Sequence, residues 1–252
     1  MRRRPYVLSL SAPQSPSEYA PAVIYWNGRI VWGYSVLRYY VLAIYLIVVV
    51  THLYSCVHTG KHTLRKITKC LLMPLLALCY RLFAADFSAL VFLALIFGFI
   101  GDAFLLAPGW DWSFGAGLGA FAVGHVLYTV HMLGALPAMP KWYVFVLLAL
   151  ICCMLSLIVL CYLWDGLPKT LRASCVFYVL DISFMACCSF LFAFSGVSAF
   201  APLAAAGGLL FVASDTALSI DAFKKPVPHR YIVVMGTYIA AQTLLAAAFA
   251  LI

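Results

Sequence analysis

FSALVFLALIFGFIGDAFLLA, residues 87–107, carries one charged side chain, Asp102, in a run that is otherwise almost wholly apolar. About 20 such residues in helical form cross the hydrocarbon core of a bilayer, so the stretch reads as a membrane span. A carboxyl inside a span is costly and marks a functional site by default. A second stretch, GGLLFVASDTALSIDAF at 207–223, sets Asp215 in the same surroundings. Each aspartate follows a small residue (Gly101, Ser214), and a leucine comes three positions after each (Leu105, Leu218).

The rest of the chain agrees with this reading. Of 252 residues, 66% are hydrophobic and 10% are charged, with a mean hydropathy of +1.05. A soluble domain has roughly 25% charged residues, so the class is an all-α membrane protein. Apolar runs separated by short polar turns predict eight transmembrane helices, at 36–56, 69–82, 87–107, 113–134, 142–163, 170–194, 199–222 and 230–251. Residues 1–34 read as an N-terminal tail and interfacial segment, and 35–252 as the eight-helix transmembrane domain. The tail has arginines but no signal peptide, because Pro13 and Pro16 break its apolar stretch. HTGKHTLRK, residues 58–66, reads as a basic loop, and the fifth span, purely apolar, as peripheral. Gly115, Gly117, Gly119 and Gly124 suit the fourth span for close helix approach.

The net charge of +8 lies in short loops and in the tail, with no basic run interleaved with aromatics. That distribution points to lipid headgroups and loop anchoring, not to nucleic acid. Charge near the spans favours the odd-numbered loops in the cytosol, whereas Arg2, Arg3 and Arg4 pull the other way. The nine cysteines form no C-x-x-C pair and lie mostly in apolar runs, so they read as reduced, buried hydrophobes. No metal and no cofactor are expected, and a homodimer is left open.

Depth brings the polar residues together. Asp102 and Asp215 lie about 23–24 Å along spans of the same direction, a few residues from the same membrane face. Lys69 begins its span on that face. His125 and Tyr128 share one side of the fourth span, and Tyr238 and Gln242 one side of the eighth. His125 follows Asp102 by 23 residues, and Tyr238 follows Asp215 by 23. From this weak internal repeat we expect two four-helix halves in a parallel pseudo-repeat, with the two aspartate helices adjacent. Asp181 has no counterpart in the repeat and ranks lower. His131, Asp111, Asp165 and Asp221 lie near span ends and read as solvated.

Two carboxyls at close range titrate as a pair and share a proton. Such a pair supplies one acid and one base or charge stabiliser. It suits a reaction through an oxocarbenium-like state, hydrolysis of a peptide bond, or proton relay in a transporter. The tighter G-x-G-D spacing of intramembrane aspartyl proteases is absent from GFIGD. Lys69 reads either as a snorkelling side chain or as a phosphate contact. His125, Tyr238 and Gln242 read either as interhelical hydrogen-bond partners or as parts of the site.

Lys69 before an apolar span, Gly101-Asp102, His125-x-x-Tyr128, Tyr178, Phe211-x-x-Ser214-Asp215 and Tyr238-x-x-x-Gln242 together resemble the lysoplasmalogenase, or YhhN-like, family over about residues 40–250. The resemblance implies eight spans and hydrolysis of the vinyl ether bond of lysoplasmalogen. The products would be a fatty aldehyde and glycerophosphoethanolamine or glycerophosphocholine. In animals it implies the endoplasmic reticulum. It also implies a lysophospholipid substrate within membrane lipids, and paired intramembrane acids matching Asp102 and Asp215. Lys69, His125, Tyr128, Tyr178, Ser214, Tyr238 and Gln242 would support them. The sequence departs from the family in having Cys70 where a proline is usual, and in carrying Asp181 close after Tyr178.

Overall fold

The computed structural model describes residues 25–26, 29–30, 32–58, 60–107, 110–138 and 141–251. Most of the expected tail and interfacial segment lies outside them. Within it, β1 (Tyr25–Trp26) and β2 (Arg29–Ile30) pair antiparallel, Tyr25 opposite Ile30. Eight helices follow: α1 (Trp32–Val57), α2 (His62–Phe83), α3 (Ala89–Leu106), α4 (Trp110–Gly134), α5 (Trp142–Leu163), α6 (Arg172–Ala193), α7 (Pro202–Phe223) and α8 (Arg230–Ala250). Apart from that two-residue strand pair the described residues are helical, and the protein is an integral, multi-pass membrane protein of the all-α class.

Among the described residues, seven helices are long and apolar enough to cross a membrane, and α2 is the exception. It begins at His62, about two turns before the expected start near Lys69. The basic stretch expected as a loop holds no breaker after Gly60, and its leucine, arginine and lysines are good helix formers. Lys61 carbonyl accepts the Arg65 N–H at 3.0 Å as the first turn closes. The result is a cationic helix entrance, with His62, Arg65, Lys66 and Lys69 at successive turns.

The helices pack as a ring. α2, α3 and α4 pack in series, α6, α7 and α8 do the same, and the ring closes through α4 on α6 and α8 on α2. α1 lies outside against α2 and α8, and α5 outside against α6 and α7. Within the ring each half has the same order of neighbours, but the two aspartate helices, expected to be adjacent, stand across it: α3 packs on α2 and α4, α7 on α6 and α8, and the outer helices α1 and α5 are not placed equivalently. α5 buries only Leu160 and Leu163, in keeping with its uniformly apolar sequence. α1 is tied to the ring by polar bonds, Tyr45 to Thr243 at 2.6 Å and His52 to Thr68 at 2.8 Å.

In lipid, helices associate through packing and polar bonds, because the tails around them are as apolar as leucine. Small residues set the contacts of α3. A Cβ at Gly101 would come within 2.8 Å of the Phe121 ring, and one at Gly124 within 3.2 Å of the Ala94 carbonyl. Of the five α4 glycines, Gly117 and Gly124 face α3, a Cβ at Gly115 would lie 3.8 Å from Leu171, and one at Gly119 or Gly134 would meet nothing within 4 Å. Gly124→Val should therefore destabilise the protein by about 1–3 kcal/mol through overpacking. Gly119→Val should be neutral or slightly stabilising. Thermal unfolding midpoints in detergent separate the two.

Candidate active site

Asp102 and Asp215 stand equally far along α3 and α7, counted from Ala89 and Pro202. Asp102 is buried, with Lys69 Nζ of α2 3.1 Å from its Oδ1. An ammonium and a carboxylate so far from water hold each other in place, because neither is tolerated alone. Lys69 is therefore drawn inward, and its side chain is only 13% exposed. The Tyr238 hydroxyl lies beside Asp102 and Gln242, within reach of both.

The approach of α8 to this carboxyl depends on Gly98, one turn before Asp102. A Cβ there would sit 3.1 Å from both the Tyr238 hydroxyl and Gln242 Nε2. Tyr128 of α4 donates to Gln242 Oε1 at 2.7 Å, which fixes the amide with its nitrogen toward α3. Phe121 and Phe211 meet the Tyr238 ring edge-on, with centroids 5.9 and 5.6 Å away. Tyr238 is thus clamped between the two halves of the ring.

The second carboxyl has different partners. The Tyr178 hydroxyl of α6 donates to Asp215 Oδ2. His125 donates from Nδ1 to Asp181 Oδ2 at 2.9 Å, with its ring edge-on to Phe211 at 4.7 Å. His125 Nε2 has no partner among the described residues. Asp102 and His125 both lie within electrostatic reach of Asp215. Ser214 donates to the Val234 carbonyl at 3.0 Å, so it ties α7 to α8 and does not touch its neighbouring carboxyl.

Asp181, ranked low from sequence, is a direct partner of His125. The two are 56 residues apart, and no local spacing signals the pair. Asp221 also departs from expectation. It is not solvated: its side chain is 13% exposed, and it accepts from Arg230 at 3.1 Å and from the Val227 N–H at 3.0 Å. Asp165, by contrast, is 88% exposed, as expected.

Two cavities meet near the carboxyls. The larger, about 530 Å³, opens between α1, α2, the ends of α3 and α7 and the start of α8. Arg65, Lys66, Lys69 and Arg230 make its wall cationic. The smaller, about 30 Å³, is a chiefly apolar crevice among α4 to α7, with Asp215 and Tyr178 in its lining. Phe114 and Leu218 line both. A cationic chamber thus adjoins a small, chiefly apolar crevice that has Asp215 in its lining. Among the described residues, no three His, Cys, Asp or Glu side chains group closely enough to hold a metal ion.

The model of the YhhN family matches residues 64–249 of this chain. A pig (Sus scrofa) protein named "Lysoplasmalogenase TMEM86B" is 35% identical over 183 residues, 71% of this chain and 72% of that protein. The human (Homo sapiens) protein of the same name is 33% identical, over 60% of this chain and 59% of its own length. A Mycobacterium tuberculosis protein named "Lysoplasmalogenase" is 30% identical, over 62% of this chain and 58% of its own. The chain thus spans less than two thirds of the human and mycobacterial proteins. No solved structure matches it.

The Lys69–Asp102 pair makes a testable demand. Lys69→Met strands a buried carboxylate and should cost on the order of 3 kcal/mol of stability. The double variant Lys69→Met/Asp102→Asn should recover part of that loss. Unfolding midpoints of the three proteins in detergent check both statements. Equal destabilisation by the single and double variants would show that the pair is not coupled.

Proposed function

Because the chain belongs to the YhhN family, we propose that it is a lysoplasmalogenase-type hydrolase, cleaving the vinyl ether bond of a lysophospholipid within the membrane. One observation carries the reading. Lys69 lines the cationic cavity and also pairs with Asp102, so a single side chain joins a phosphate-binding chamber to the buried carboxyl. The relatives in pig, human and mycobacteria that bear the name lysoplasmalogenase support it.

In this reading the phosphate meets Arg65, Lys66, Lys69 and Arg230, cations suited to its oxygens. The alkenyl chain runs toward the apolar crevice and the surrounding lipid. Asp215 has no cation within ion-pair distance among the described residues and acts as the acid. Its Oδ2 accepts from Tyr178, which leaves Oδ1 to carry the proton. That proton goes to the vinyl carbon distal to the ether oxygen, and the double-bond electrons form the new C–H bond. The other carbon becomes an oxocarbenium ion, stabilised by the Asp102 carboxylate. Water adds to it and gives its proton back to Asp215. The resulting hemiacetal collapses: its C–O bond to glycerol breaks, its hydroxyl proton is lost, and the glycerol oxygen is protonated. Fatty aldehyde and glycerophosphoethanolamine or glycerophosphocholine leave. Tyr128, Gln242, Tyr238 and His125 orient the water and fix the distance between the carboxyls. The endoplasmic reticulum is the compartment this reading implies for an animal member.

Purified protein in detergent should release fatty aldehyde from lysoplasmalogen. Asp102→Asn and Asp215→Asn should each lower that rate by about 10²-fold or more, with helical circular dichroism unchanged. Tyr178→Phe, which only loosens Asp215, should lose less. A protein that cleaves no vinyl ether lipid but moves lipid across liposomes would replace this reading with a carboxylate-relay transporter.

A further inference from the structure

His52 belongs to α1 and precedes the residues that match the family. It is fully buried and forms part of the wall of the cationic cavity. Its Nδ1 lies 2.8 Å from Thr68 Oγ1. The Thr68 hydroxyl has one proton, and its own helix offers it the Leu64 carbonyl at 2.8 Å and the Arg65 carbonyl at 3.3 Å. A hydroxyl that donates to a carbonyl can only accept from the imidazole, so Nδ1 carries the hydrogen. This chain of donors, His52 to Thr68 to Leu64, satisfies all three groups. The other tautomer would set two acceptors competing for one hydroxyl proton.

The neutral ring therefore presents Nε2 as a lone pair, and Nε2 has no hydrogen-bond partner among the described residues. His52 stands in a wall whose other polar side chains are chiefly donors. Three other acceptors of the wall are engaged: Asp221 with Arg230 and the Val227 N–H, His62 Nδ1 with Arg65 at 2.8 Å, and the Tyr231 hydroxyl with Arg230 at 2.6 Å. A phosphate brings only acceptors and has no complement for such a nitrogen. A hydroxyl does. On a lysophospholipid the free hydroxyl of the middle glycerol carbon lies between the phosphate-bearing carbon and the ether-bearing carbon. A phosphate on Lys69 and Arg65 brings that hydroxyl within reach of the same wall.

We propose that His52 is a specificity-determining residue, whose Nε2 accepts the free glycerol hydroxyl of a lysophospholipid held in the cationic cavity. The inference rests on the lysolipid reading above and names the group by which the site tells a lysolipid from a lipid acylated at that carbon. An acyl ester there offers no hydrogen to Nε2 and leaves a buried acceptor unpaired.

The test uses a saturated 1-O-alkyl glycerophosphoethanolamine, which has no vinyl ether to cleave, and its 2-deoxy counterpart. Dissociation constants are measured by calorimetry on purified full-length protein in detergent. Wild type should bind the hydroxylated ligand about tenfold more tightly, the worth of one hydrogen bond between neutral groups. His52→Asn keeps an N–H at the Nδ1 position toward Thr68 but has nothing at Nε2, and it should bind the two ligands equally. His52→Gln restores an acceptor near Nε2 and should keep most of the preference. The ratio of the two constants would not move if His52 only braced α1 against α2. Equal binding by wild type, binding of neither ligand, or an undiminished preference in His52→Asn overturns the proposal. Aldehyde release from lysoplasmalogen by wild type tests the underlying reading separately. A clear hydroxyl preference without turnover would leave this site standing and remove the hydrolase.

Discussion

The ion pair between Lys69 and Asp102 is the constraint on which the rest of the structure depends. A carboxylate buried as deeply as Asp102 needs a counter-charge, and Lys69 of α2 supplies it at 3.1 Å. The cost of leaving either group alone binds α2 to α3. The same lysine also lines the cationic cavity. α2 is thereby committed to a compromise: its first turns carry too much charge for a typical span, and its later turns, with Leu72, Met73 and Leu76 fully or nearly fully buried, belong to the core.

Around that pair the fold brings polar groups close by removing side-chain volume. Gly98 lets Tyr238 and Gln242 approach α3, and Gly101 makes room for Phe121. Hydrogen bonds between helices then fix the register: Tyr128 to Gln242 across α4 and α8, Tyr178 to Asp215 across α6 and α7, and His125 to Asp181 across α4 and α6. In hydrocarbon such bonds have no water to compete with them, so they both hold and orient the helices. The two carboxyls end in different environments. Asp102 faces the Lys69 ammonium, which lines the cationic chamber, whereas Asp215 faces the Tyr178 phenol and lines a chiefly apolar crevice. That asymmetry is what a reaction needs if one carboxyl is to give a proton and the other to face a cation.

The polar residues of the site were visible because each interrupts an apolar run, where a polar side chain is costly and therefore informative. Asp102, Asp215, His125, Tyr128, Tyr178, Tyr238 and Gln242 could all be picked out in this way, and Lys69 by its place at the start of a span. Their pairing could not. Tyr128 and Gln242 are 114 residues apart, and His125 and Asp181 are 56 apart. His52 gave no signal at all, since a lone histidine in a span has no spacing partner, and its role appears only with Thr68 beside it. The helical start of α2 was hidden for a related reason. A run of basic residues looks like a loop unless a cavity exists for those side chains to line.

The sequence by itself determined the class, the helices and most of the costly residues, because length and hydropathy decide what a bilayer accepts. The spacing of polar residues along the two aspartate hairpins suggested adjacent aspartate helices, which the packing of α3 and α7 on opposite sides of the ring does not give. Tertiary structure alone decided which side chains meet: that Lys69 belongs to Asp102 and Tyr178 to Asp215, that Asp181 engages His125, and that α2 opens as a cationic wall. Contacts between helices depend on rotation and close approach, set by the volumes of residues such as Gly98 and Gly101 against distant partners. No reading of one helix at a time contains that information.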